Sequence, residues 1–75
     1  MEDTDIAMIV AMLREAMTSD HMSMKGMAHK LGISAGHLSM VFSGKRRPGV
    51  RFLRAAARAY PEIARRLADR LLGTD

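Results

Sequence analysis

At seventy-five residues, with no cysteine, eight methionines and a formal net charge of +4, the chain is near the lower size limit for a core without staples. The missing thiols exclude disulfides and thiolate metal sites. No apolar run approaches the roughly 20 residues of a membrane span, and the acidic start Met-Glu-Asp-Thr-Asp is unlike a secretory signal; a small domain over 1–75, working in the cytoplasm, is the expectation.

In chain order, Asp3, Thr4 and Asp5 offer caps and negative charge where a helix dipole favours them. Ile6, Ile9, Val10, Leu13 and Met17 then repeat on one face, predicting a first helix over about 4–18, with Met8 and Met12 at its margin. Ser23 is placed to cap a second helix over about 24–31. Met24, Met27, Ala28 and Leu31 give it an apolar face at i, i+3, i+4 and i+7, and Met22, just before the cap, can staple against Met27. Gly32 stands where that helix must stop, with the residue most at ease at positive φ.

Ser34 can cap a third helix over about 35–43, on which Leu38, Val41 and Phe42 share a side and Gly44 marks the end. Residues 44–49, Gly-Lys-Arg-Arg-Pro-Gly, are a turn by composition, and Pro48 disfavours helix at Arg47. A fourth helix over about 50–60 turns Leu53, Ala56, Ala57 and Tyr60 inward, with Val50 or Phe52 at its entrance and Arg51, Arg54 and Arg58 outward. Pro61 breaks the pattern and suits the first turn of a fifth helix over about 61–72. Ile63, Leu67 and Leu71 form its strip, flanked by Ala64, Ala68 and Leu72. The fold expected is all-α, a compact bundle of five helices.

Charge is unevenly distributed over these elements. From His21 to Pro61 there is no Asp or Glu, while Lys25, Lys30, Lys45, Arg46, Arg47, Arg51, Arg54 and Arg58 carry eight positive charges. A solvated surface normally intersperses both signs, so a one-signed segment of this length points to a polyanionic partner. A membrane-surface helix would set bulky apolar residues opposite a basic face within one long helix. Here the charge spans several short elements, which favours nucleic acid. Catalysis has no support: the chain offers no Cys nucleophile, no Gly-rich phosphate loop and no paired carboxylates at a cleft. His21, His29 and His37 lack ligand-like spacing, so no metal and no cofactor is expected.

Ser23, Met27-Ala28, Leu31-Gly32-Ile33-Ser34, Leu38-Ser39, Val41, Gly44-Lys45, Pro48, Leu53 and Ala56 together resemble the Cro and phage-repressor, or Xre, type of helix-turn-helix over about residues 4–60. The resemblance implies a lambda-repressor-like domain: a sequence-specific regulator of transcription, repressor or Cro-like, usually dimeric on a partly palindromic operator. Its third helix would lie in the major groove of double-stranded DNA.

Three departures from the family pattern stand out. Met24 replaces a Gln that supports a phosphate contact. Phe42 stands where some phage repressors carry a Glu paired with an Arg late in the first helix, a position that falls here on Met17. An apolar Met17–Phe42 contact in place of an ion pair is therefore expected. The base-contacting positions fall on Ala35, Gly36 and Met40, none of which makes the bidentate contacts that usually specify bases.

With His37, Ser39 and Ser43, these residues offer DNA a methyl, bare backbone, a thioether, an imidazole and hydroxyls. Ser23 and Ser34 serve as caps and sit where helix N-termini meet phosphates. Lys45, Arg46, Arg47 and Arg51 are the expected phosphate contacts. Leu67, Leu71 and Leu72 on the fifth helix are the candidate homodimer surface. The rival reading is a protein-binding module docking on a polymerase, toxin or other regulator through Gly36 and Met40.

Overall fold

The computed structural model describes residues 3–72, and the side chains of residues 3–70. Five helices follow one another: α1 (Asp3–Ser19), α2 (Met24–Leu31), α3 (Ala35–Phe42), α4 (Val50–Ala59) and α5 (Pro61–Leu72). α2 packs on α3 and α4, and α4 packs on α5. One residue from each predicted cap accounts for the start of α2 and of α3. Ser23 has extended backbone, and its hydroxyl accepts from the Gly26 amide at 3.0 Å. Ser34 does the same for the His37 amide at 3.0 Å. Each bond satisfies an amide that the first helical turn leaves without an internal acceptor.

Gly32 stops α2 at φ 72°, a conformation that costs a side-chain-bearing residue energy. Its amide donates to His29 and that of Ile33 to Ala28, so the orphan carbonyls of α2 are used as the chain reverses into α3. Gly44, at φ 80°, repeats the device after α3. The Met40 carbonyl then accepts from the amides of Lys45 and Arg46 at 3.0 and 3.1 Å, which fixes where the basic loop leaves the helix.

The core is Ile9, Leu13, Met27, Ala28, Leu31, Leu38, Val41, Phe52, Ala56 and Ile63. In α4 the buried pair is Phe52 and Ala56, at i and i+4, while Leu53, Ala57 and Tyr60 are half-buried and Val50 is 70% exposed. The expectation that Leu53, Ala57 and Tyr60 are buried with Ala56, and that Val50 or Phe52 stands at the entrance, is thereby corrected for all but Ala56. Phe52 stands one helical turn before Ala56 on the same face, and its ring has more apolar area to bury than Leu53, which packs partly buried beside it. Tyr60 ends α4 in extended conformation ahead of Pro61. Its hydroxyl donates to the Met27 sulfur at 3.7 Å, and the Lys30 ammonium lies 4.3 Å from its ring centre, tying α2 to the α4–α5 corner.

Asp5 is the buried charge of α1, 7% exposed, and the Arg70 Nε donates to it at 2.9 Å. This pair fastens the end of α5 to the start of α1. Gly26 lies under Met22, whose Cγ would stand 3.0 Å from an added Cβ. That glycine is explained by the fold, because the residue before the cap folds back over it. Among the described residues no helix is long and apolar enough to cross a membrane.

Candidate nucleic-acid interface

The outer face of α3 carries Gly36, Ser39, Met40 and then Ser43, all exposed, with Met40 at 42%. Their spacing, opposite the buried Leu38 and Val41, follows from the helical repeat. Ser43 spends its hydroxyl proton on the Met40 carbonyl at 3.2 Å, so its oxygen remains an acceptor on this face. An added Cβ at Gly36 would meet nothing within 4 Å. The interior of the fold therefore gives no reason for a glycine at that position.

Ala35 is half-buried and packs against the core. His37 is also half-buried, with its ring stacked on Phe52 at 6.1 Å between centres and 12° between planes. Stacking holds the imidazole at the rim of α3 and links that helix to α4. Nothing in the sequence pattern singled out Phe52 as its support.

Between the start of α3 and the start of α4 runs a groove of about 540 Å³ that collects Ser34, His37, Arg46, Arg47 and Arg51, with Val50 and Phe52 at its floor and edge. The Ser34 cap, the basic turn and the first turn of α4 thus converge on one concave, cationic surface. The amides of Ala35 and Gly36 belong to the first turn of α3, where helices leave N–H groups for an outside acceptor. Exposed helix-start amides and guanidinium forks are donor sets of the kind that bind an anionic oxygen.

Lys45 is exposed on the same loop, and Ser23 caps α2 away from this groove. Arg47 also donates to Asp3 at 2.6 Å, in an ion pair that is largely exposed. The local pattern marks Asp3 only as a cap and dipole residue and carries no signature of its partner across the fold.

On α1, Arg14 donates to the Phe42 carbonyl at 2.8 Å and its guanidinium carbon lies 4.9 Å from the Phe42 ring centre. Met17 and Phe42 border a common groove of about 290 Å³ with Arg14, Met22 and Met24. Arg14 was missed in the sequence, although it is the one basic residue within α1.

A glycine-turned pair of short helices, capped by serines and followed by an arginine loop on the same side, defines a helix-turn-helix DNA-binding domain. The chain belongs to the Xre/Cro-like helix-turn-helix family, whose family model, described as Helix-turn-helix, matches residues 13–67. No curated protein and no solved structure matches the chain. It is a DNA-binding helix-turn-helix regulator.

Proposed function

We propose that this protein is a sequence-specific, double-stranded-DNA-binding regulator of transcription, repressor or Cro-like, that works in the cytoplasm on the nucleoid. In this reading α3 enters the major groove with Gly36, Ser39, Met40 and Ser43 toward the bases, and His37 and Ala35 at its margins. Ser23, Ser34, Lys45, Arg46, Arg47 and Arg51 hold phosphates on either side. The observation that carries it is the shared groove of Ser34, Arg46, Arg47 and Arg51 beside an outward α3 face.

Because no side chain on that face makes a bidentate base contact, discrimination rests on thymine methyls at Met40 and on DNA shape and deformability. Selection of bound duplexes from random DNA tests this. A recovered consensus supports it, and recovery of unenriched sequence refutes specific readout.

The active form is a homodimer on a partly palindromic operator, with recognition helices about 34 Å apart. Leu67 is half-buried against the core, beside Met8, which is 39% exposed; this α1–α5 edge supports the dimer surface. The side chains of Leu71 and Leu72, the other two residues of that surface, lie outside the described residues. Sedimentation at tens of micromolar that shows only monomer refutes the dimer. The exposure of Met40 on a face poor in polar readers favours a second reading, a module that docks on another protein; salt-insensitive or absent DNA binding would select it.

A further inference from the structure

A second groove, of about 440 Å³, lies between α1 and the α3–α4 loop. Its floor is apolar: Ile6, Ala7, Val10 and Ala11 from α1 face Phe42 and Pro48 across it. Its rim carries Arg14 toward one end and, toward the other, Arg46 and the Arg47–Asp3 ion pair, a net positive charge. From Asp3, the partner of Arg47, to Arg14 the α1 axis runs about 16 Å, three helical turns. The α1 wall before Leu13 also lies outside the residues that the family model matches.

We infer that this groove docks an acidic amphipathic helix of a partner protein, and that docking competes with DNA for Arg46 and Arg47. The inference rests on the proposed phosphate role of those two arginines. Charge complementarity selects the occupant. Arg47 already holds one carboxylate, that of Asp3, at 2.6 Å. Arg14 gives one hydrogen bond to Phe42, which leaves further N–H groups on its guanidinium fork.

An open groove of this shape does not enclose the 70–90% of a small ligand's surface that a small-molecule site typically buries. A helix laid along it buries apolar residues at i, i+3, i+4 and i+7 on the floor. Carboxylates near its two ends, about three turns apart, meet the rim. Arg46 and Arg47 also border the groove beside α3, so one acidic ligand at a time satisfies them.

The test uses the full chain and a labelled helical peptide of about 15 residues with leucines at i, i+3, i+4 and i+7 and a glutamate at each end. Fluorescence anisotropy should show this peptide binding about tenfold or more tighter than its glutamine counterpart. Ala7→Glu or Ala11→Glu, each on an exposed floor position, should weaken it about tenfold, and the uncharged Ala7→Gln should weaken it several-fold while leaving duplex DNA affinity unchanged. A duplex of about 20 base pairs should displace the peptide.

Absent binding, equal binding of the two peptides, or binding indifferent to both substitutions overturns the proposal. Self-association of the free chain that Ala7→Glu abolishes assigns the groove to a second copy and also overturns it. Duplex that binds directly without displacing the peptide removes the competition. A duplex that fails to bind at all instead counts against the DNA reading, and the peptide comparison still decides the groove.

Discussion

The guanidinium of Arg14 caps the last turn of α3 by donating to the Phe42 carbonyl at 2.8 Å while it lies over the Phe42 ring, 4.9 Å from its centre. One side chain thus supplies positive charge to a helix C-terminus and a cation to an aromatic face. Met17, the apolar partner expected for Phe42, lies about one turn further along α1 and borders a common groove with it. The aromatic ring also receives an arginine, without the acid that an ion pair requires.

Arg14→Ala should therefore lower stability by about 1 kcal/mol, the sum expected of an exposed cation–π contact and a helix-end charge. Arg14→Lys should recover part of it. Denaturant unfolding checks this, and a neutral alanine variant would show that the contact contributes nothing.

Gly36 separates fold from function. Space around it is open, so Gly36→Ala should stabilise α3 by up to about 1 kcal/mol. If the helix backbone closely approaches DNA there, the same variant should bind duplex several-fold more weakly. Thermal melts and a binding titration on one preparation read both effects. Higher stability with unchanged DNA affinity would make the glycine incidental.

Asp5 and Arg70 join the two ends of the described chain, the acid 9% and the base 57% exposed by side chain. Solvent around Arg70 screens the pair, so Asp5→Ala should cost about 1–2 kcal/mol rather than the full penalty of a buried ion pair. In a domain of this size that lowers the melting temperature by roughly 4–8 °C per kcal/mol. An unchanged melt would mean that α5 is held by apolar packing alone.

The helix boundaries were legible because serine caps, positive-φ glycines and the two prolines act locally, within a few residues of where they stand. The core face of α4 was less so. Phe52 and Leu53 both fit a helical stripe, and the choice between them depends on which side of α4 meets α2 and α5, a tertiary relation. Arg14–Phe42, Asp3–Arg47 and His37–Phe52 join residues far apart in sequence, so no local period announces them. Of the candidate groove, the basic loop and the Ser34 cap could be read from the local sequence. What could not be read was that Ser34, His37, Arg46, Arg47 and Arg51 share one groove.

In the proposed reading, Met40 and Arg46 divide the labour on DNA. Met40→Ala should change which sequences are preferred, because a thioether contact depends on thymine methyls. Arg46→Ala should weaken all duplexes alike, because a phosphate contact carries no sequence information. Competition titrations against several selected and scrambled duplexes distinguish the two. Equal losses for both variants on every sequence would remove the case for readout at Met40.

The most direct test of the central claim is the salt dependence of duplex binding by the wild-type chain. With Lys45, Arg46, Arg47 and Arg51 each neutralising a phosphate, affinity per protomer should fall about a hundredfold between roughly 50 and 200 mM salt. The logarithmic slope should lessen by about one in Arg46→Ala. Affinity that is flat across this range, or a slope untouched by Arg46→Ala, would contradict a phosphate-gripping role for the loop after α3.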